Sequence, residues 1–325
     1  MSSAGRTGRS IVPAIVPATA LAIALAVPFL LAPGFVASLA VQTLFTALIA
    51  QAWNIAGGYG GMMSFGHAVF FGTGAYVSTI CQLRYGFNAW LGLPLGGLSG
   101  ALAGAAIGWL ASRAGLRGSY FALVTLAFAE AFRILANSIG ITQGGMGMLI
   151  RLDQRAANFQ FADLRGWYAV VLALGALAFA VALWLERSRF GARLMAVREN
   201  EDAAQALGVD VLATKVRALA LSGALAALGG VFYAQYYLYI DPPIAFGVEK
   251  SVEMLLAAMI GGAGTVWGPL VGSIALHLLA DTTRNLFEIP GIAPMLYGAV
   301  LVLIVGFLPQ GLVGLWPRLM RLRHA

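Results

Sequence analysis

The amino-acid sequence predicts an all-α polytopic membrane protein with about eight to ten transmembrane helices. Of its 325 residues, 60% are hydrophobic and only 10% are charged, whereas a typical soluble domain has about 25% charged residues. Apolar runs long enough to cross a bilayer as a helix, about 20 residues, recur along the chain. A membrane β-barrel would instead show short segments of alternating hydrophobicity.

Ten stretches have the composition of a helix that crosses or enters the membrane. They lie near residues 11–32, 39–56, 62–80, 89–112, 118–138, 167–186, 213–235, 250–262, 266–280 and 292–308. The first is too long for the apolar part of a cleavable signal peptide, so we expect it to be retained. The eighth and ninth are short and rich in glycine, which favours half-spans or a re-entrant pair and leaves the count between eight and ten. We expect residues 1–325 to form a single transmembrane domain with an internal repeat and Gly-rich, interrupted helices.

The distribution of Lys and Arg predicts the orientation. With ten helices, thirteen of the twenty basic residues fall on one side of the membrane, six on the other, and Arg133 lies within a helix. Basic loops stay preferentially in the cytoplasm. Both termini and the segment 187–212 are therefore predicted to be cytoplasmic, and the segments 139–166 and 235–250 to face outward.

The segment 187–212 is a long, charge-rich stretch between apolar helices. Asn200 is a good N-cap residue. Glu201 and Asp202 follow in the first turn, where the helix dipole favours anions, and Gly208 suits the left-handed position after a helix. We expect a two-turn helix over 201–207, presented from the membrane domain into the cytoplasm.

This short helix is predicted to carry a small apolar face, because Ala203, Ala204 and Leu207 have i, i+3, i+4 spacing. A helix of two turns is marginal alone, which favours binding in a groove of a partner protein. A connector lying on the bilayer is the alternative, although such helices usually carry Lys and Arg on their polar face. The predicted docking residues are Arg198, Glu199, Asn200, Glu201, Asp202, Ala203, Ala204, Leu207 and Gly208.

Two glycine-rich blocks, 57–66 and 261–268, each follow an apolar helix and precede another. Interrupted helices at matching places in two halves of a chain indicate a substrate pathway at their interface. Close packing of helices through small residues is the alternative, and it requires no pathway. The predicted pathway residues are Asn54, Gly58, Gly61, Ser64, His67, Gly262, Gly264 and Thr265.

Glu130 and Arg133 lie one helical turn apart within a predicted helix. A charge at the centre of a bilayer costs about 2.5–3.5 kcal/mol on insertion scales, so each should face protein or water. The two residues are either a mutually satisfied intramembrane ion pair or part of the pathway. His67 has no carboxylate near it in the sequence, and we expect it to be a satisfied or pathway-lining histidine and not a catalytic base. With Cys81 as the single cysteine, neither an intrachain disulfide nor a multi-cysteine metal site can form.

Several of these motifs together resemble one transporter family. They read NIAGGYGGMMSFGH from Asn54, GSYFALVTLAFAEAFR from Gly118, TQGGMG from Thr142 and GGAGTVWGP from Gly261, with the charged segment between the third and the fourth. In this order they resemble the permeases of branched-chain amino acid ABC transporters, the LivH/LivM family, and among these the M-type subunit. Gln143 departs from the family pattern, which has glycine after Thr142, and this puts only the local loop geometry in question.

The resemblance implies a permease subunit of an ATP-binding cassette importer in a bacterial inner membrane. It also implies a homologous permease subunit, two cytoplasmic ATPase subunits and an external substrate-binding protein as partners. The chain has no phosphate-binding motif of the form G-x-x-x-x-G-K-[ST]. We therefore expect this chain to be no enzyme and to bind no cofactor, with ATP hydrolysed by the partner subunits. We expect neither a metal nor nucleic acid to bind.

The substrate stays open at this point. Relatives with this architecture carry leucine, isoleucine and valine, and others carry urea, short amides or other small polar solutes. A self-contained secondary carrier is a further alternative, but it would need intramembrane carboxylates for proton or Na⁺ coupling. Glu130 is the candidate for that role, and it has a basic neighbour.

Overall fold

The computed structural model describes residues 34–286, 295, 298–299 and 311–314. Within these ranges the chain is mostly helical, which confirms the all-α prediction. The α-helices are α1 (Phe35–Asn54), α2 (His67–Tyr85), α3 (Gly92–Arg113), α4 (Gly118–Ser138), α5 (Leu164–Arg187), α6 (Arg189–Glu199), α7 (Glu201–Ala206), α8 (Val211–Tyr237), α9 (Pro242–Phe246), α10 (Val248–Gly261) and α11 (Gly268–Leu286).

Five described helical segments are long and apolar enough to cross a membrane, in agreement with a polytopic membrane protein. They are Phe35–Tyr59, Ala89–Arg113, Gly118–Ser138, Leu164–Arg187 and Val211–Tyr237. The other predicted helices between 62 and 280 are present as α2, α10 and α11. The predicted helices 11–32 and 292–308 lie outside the described residues, so the total of eight to ten stays a prediction.

The predicted helix 62–80 begins later than expected, at His67, because the chain first makes an irregular turn. α1 continues through a π-helical segment, Ile55–Tyr59. Gly61 then adopts a φ of +66°, a left-handed conformation that glycine reaches without steric cost. The glycines that were predicted to interrupt the helix therefore do so directly after α1.

Glycines bring α3 and α8 into backbone contact. Gly96, Gly100 and Gly104 recur every four residues and so share one face of α3. A Cβ atom on Gly100 would lie 2.3 Å from the Cβ of Ala227 and 2.4 Å from the carbonyl oxygen of Gly223. Because lipid tails are as apolar as the side chains, helices in a bilayer associate largely by such close packing.

The two ends of the bundle are distinct. At one end, Met148–Leu149 (β1) pairs antiparallel with Tyr239–Ile240 (β2) and so joins the segment after α4 to the segment after α8. We call this the Ile240 end. α8 runs from there to the opposite end, which contains α6 and α7 and which we call the Arg198 end. The segments predicted to face outward meet at the Ile240 end.

The packing of α3 on α8 predicts different costs for two neighbouring Gly→Ala substitutions. At Gly100 the new methyl group would overlap α8 backbone, whereas at Gly97 its nearest neighbour is Leu228 Cδ2 at 3.4 Å. Overpacking costs about 1–3 kcal/mol. We expect Gly100→Ala to lower the melting temperature of the purified chain in detergent and Gly97→Ala to leave it unchanged. Equal melting temperatures for the two variants would contradict the close contact.

Candidate functional site

The two glycine-rich blocks meet at the Arg198 end, where the Asn54 side chain joins them. Its Oδ1 accepts a hydrogen bond from the backbone N–H of Gly264 at 2.7 Å, and its Nδ2 donates to the carbonyl of Thr265 at 2.9 Å. Asn54 is fully buried. Both ends of its amide are thus satisfied by the opposite block, as a buried polar group requires.

The backbones of the two blocks are in direct contact beside Asn54. A Cβ atom on Gly58 would lie 2.4 Å from the backbone nitrogen of Gly264. Gly262 and Gly264 have φ angles of +130° and +79°, which residues with side chains rarely adopt. This geometry agrees with the packing interpretation of the two blocks, and it places their contact at the Arg198 end of the bundle.

Arg198, near the end of α6, reaches this contact from outside. Its Nη1 donates a hydrogen bond to the carbonyl of Gly58 at 2.7 Å. Its Cγ lies 2.8 Å from the position that a Cβ on Gly61 would take, and Nη1 lies 2.8 Å from the corresponding position at Gly264. Arg198 was predicted to belong to a docking surface. Its guanidinium binds its own chain while the residue as a whole is exposed, so a docking role stays a prediction.

Ser64 and His67 are fully buried in the bundle. Ser222 donates its hydroxyl hydrogen to the carbonyl of Ala52 at 2.6 Å, so it accepts from Nε2 of His67 at 2.8 Å. The carbonyl of Ser64 accepts a hydrogen bond from the Trp53 indole at 2.9 Å. Both predicted pathway residues therefore tie α2 and the preceding turn to α1 and α8.

The segment 187–212 contains two helices, where one was predicted. Ser188 caps α6 by accepting a hydrogen bond from Gly191, and Asn200 caps α7 by accepting one from Ala203 at 3.0 Å. α7 ends at Ala206, and Gly208 follows with a φ of +84°. The predicted N-cap, acidic first turn and left-handed glycine are confirmed, and the helix is one residue shorter than predicted.

The acidic first turn of α7 is held by two basic residues from neighbouring elements. Arg117, directly before α4, binds Glu201 at 3.1 Å and Asp202 at 2.9 Å, and Lys215 of α8 also pairs with Glu201. The hydrogen bond from Arg117 holds the pKa of the Asp202 carboxyl below its usual range. The pair of Arg117 with Asp202 is exposed and so contributes little to stability. The pair of Lys215 with Glu201 is largely buried, with 8% and 20% of the two side chains exposed, and it joins α7 to α8.

The predicted apolar face of α7 is divided between two sides. Ala204 is buried against the rest of the chain, whereas Ala203 is exposed and Leu207, just after the helix, is 85% exposed. Glu199 is also exposed. The prediction of a single stripe was wrong for Ala204, because Arg117 and Lys215 turn that side of the helix towards its own chain.

Glu130 and Arg133 form the predicted ion pair on α4. Arg133 donates to both carboxylate oxygens of Glu130, with its Nε 2.8 Å from Oε2. About 46% of the Glu130 side chain and 36% of the Arg133 side chain remain exposed. The pair is therefore satisfied internally but lies on the surface of the isolated chain.

Sequence reasoning missed two groups of residues. Arg117 was counted only as a basic residue for topology, although its place one residue before α4 put it near a helix N-terminus. Lys250 and Glu253 pair at 2.7 Å, and Thr46 donates to Glu253 at 3.2 Å and contacts Nε2 of His277 at 3.0 Å. The spacing of Lys250 and Glu253, one helical turn apart, was the available signal.

A comparison with known protein families identifies the family of this chain. Residues 35–305 match the model of the permease component of branched-chain amino acid transport systems. The chain belongs to this family. The match includes both glycine-rich blocks, α6 and α7, so the site described above lies within the family's own domain.

Individual permeases of the family show the same relationship. The chain is 29% identical to the high-affinity branched-chain amino acid permease LivM of Salmonella typhimurium over 90% of this chain and 73% of that protein. It is 25% identical to LivH of Escherichia coli K12 over 82% of this chain and 91% of that protein. A probable LivM of Methanocaldococcus jannaschii is 28% identical over 61% of each chain. No solved structure matches the chain.

The contact of Arg198 with Gly58 yields a prediction for this permease. We expect Arg198→Ala to lower uptake in cells that depend on the chain, because a hydrogen bond to a charged group, worth about 1.5–3 kcal/mol, is lost. Arg198→Lys should retain part of the activity through one remaining donor. Arg193→Ala, an exposed position on the same helix, is the matched control. If Arg198→Ala transports as well as Arg193→Ala at equal expression, the contact has no role in transport.

Proposed function

We propose that this chain is one permease subunit of an ATP-binding cassette importer for branched-chain amino acids. The observation that carries the proposal is α7: its first turn is anchored on its own chain by Arg117 and Lys215, while Leu207 at its other end is exposed. A short, capped helix with one anchored and one free side suits docking in a groove of a separate subunit. That subunit would be the ATPase.

Two contacts would transmit movement of α7 to the bundle. Arg117 binds the acids of α7 and lies directly before α4. Arg198, two residues before the cap of α7 at Asn200, binds Gly58 in the π-helical segment that continues α1. Closure of ATPases beneath α7 would therefore act on α4 and on both glycine-rich blocks at once, which supports a role of these blocks in gating.

The remaining parts of the proposal concern the assembly. Similarity to both LivM and LivH supports pairing with a homologous permease subunit. Two ATPase subunits would dock at the Arg198 end, and an external binding protein would deliver the substrate at the Ile240 end. The Arg198 end would then face the cytoplasm of a bacterial inner membrane, with both termini on that side, in agreement with the basic residues of α6.

Reconstitution separates this proposal from a self-contained carrier. We expect vesicles that contain this chain alone to show no saturable uptake of labelled leucine under proton, sodium or leucine gradients. Vesicles that also contain the homologous permease, the ATPases and the binding protein should take up leucine only when ATP is present. Gradient-driven, saturable uptake by the chain alone would overturn the importer proposal.

The exposed end of α7 yields a sharper test of docking. We expect Leu207→Glu to reduce co-purification of the ATPase from mild detergent by about tenfold, the equivalent of 1.4 kcal/mol, because a buried apolar contact would be replaced by a charge. Leu149→Glu, an exposed leucine at the Ile240 end, should leave co-purification unchanged. Both variants should insert normally, since each side chain is exposed. Normal co-purification of Leu207→Glu would place the ATPase elsewhere.

A further inference from the structure

A cavity of about 520 Å³ lies between α1, α10 and α11, apart from the contacts at Arg198. Its volume falls within the ~300–1,000 Å³ of small-molecule sites. Leu256 and Leu276 form part of an apolar wall, while Glu249, Glu253 and Asp281 supply three carboxylates. An apolar pocket with a few charged groups is suited to a small amphipathic ligand.

The cavity lies within the depth of the helical bundle. Thr46, which lines it, precedes Asn54 by eight residues on α1, a distance of about 12 Å along a helix. α10 has 14 residues and so spans about 21 Å, less than the ~30 Å hydrocarbon core. A helix of this length that starts inside the bundle keeps the carboxylates at the start of α10 within the thickness of the membrane.

The carboxylates in the cavity are not balanced by the basic residue beside them. Lys250 pairs with Glu253 at 2.7 Å, and Glu253 also accepts a hydrogen bond from Thr46, which is 2% exposed. Glu253 is thus satisfied within the wall. Glu249 and Asp281 have no ion-pair partner among the residues that the structure describes.

The Asp281 carboxylate lacks one hydrogen-bond donor. Its Oδ2 is buried and accepts no hydrogen bond in the part of the chain that the structure describes. A buried polar atom without a partner is destabilising, and more so when it is charged. An ammonium group carries three N–H donors, any of which satisfies this oxygen.

We propose that this cavity binds the ammonium group of a transported amino acid, with Asp281 and Glu249 at the amine and Leu256 and Leu276 along the aliphatic side chain. This inference rests on the proposed function, because it assigns a substrate subsite within it. It places a substrate contact inside one subunit, at a distance from the glycine-rich blocks. A monovalent inorganic cation such as Na⁺ carries the same charge, and the experiment below distinguishes it from the ammonium group of an amino acid.

A reporter cysteine tests the charge preference of the cavity. In the complete importer with Cys81→Ser, Val252→Cys places a thiol in the cavity wall. We expect a cationic methanethiosulfonate to label it about tenfold faster than an anionic one, because an acidic cleft concentrates cations. Asp281→Asn should reduce this ratio, whereas Asp153→Asn, a carboxylate paired with Arg155 in the segment after β1, should not. Ala280→Cys is a second reporter if Val252→Cys does not assemble.

Ligand protection tests the source of the cation. Leucine should slow labelling of the reporter, and sodium chloride at the same concentration should not. Equal rates for the two reagents, an unchanged ratio in Asp281→Asn, or protection by sodium chloride and not by leucine would each overturn the proposal. ATP-driven uptake by the same vesicles reports the proposed function separately, so a failure of the importer and a failure of the subsite give different results.

Discussion

Backbone contact through glycine is the constraint on which the rest of the structure depends. Gly96, Gly100 and Gly104 let α3 lie directly on α8, and this fixes α8 in the centre of the bundle. α8 in turn carries Ser222, which binds His67, and Lys215, which binds α7. A membrane protein gains little from hiding apolar surface from lipid. Precise approach of small residues therefore determines where its polar contacts can form.

Two polar groups inside the bundle are satisfied by groups distant in sequence. Asn54 is satisfied by Gly264 and Thr265, and Glu253 by Thr46 as well as by its neighbour Lys250. These hydrogen bonds are directional, so they set the orientation of α1 relative to α10 and α11, whereas apolar packing depends mainly on the volumes of the side chains. They make the α1–α10–α11 unit specific where apolar packing alone would tolerate rotation of one helix against another.

Local features could be predicted from the sequence, but the directions in which side chains point from their helices could not. Helix positions, the N-cap at Asn200 and the left-handed Gly208 depend on neighbouring residues, so they could be predicted. That Arg198 turns inward to Gly58, or that Ala204 faces its own chain, depends on which helix lies alongside. α1 and α8 are apolar on nearly every side, so hydrophobic periodicity gives no face from which to infer a neighbour.

The π-helical segment Ile55–Tyr59 follows Asn54 directly. A π turn holds one residue more than an α turn. The extra residue rotates the part of the helix that precedes it relative to the part that follows. Shifting that extra residue to the other side of Asn54 would turn the amide by about 100° about the helix axis, away from Gly264 and Thr265. The hydrogen bonds from Asn54 to the second glycine-rich block thus depend on the rotational phase of the helix. This phase changes when the π turn moves by one position, and the helix does not have to unfold.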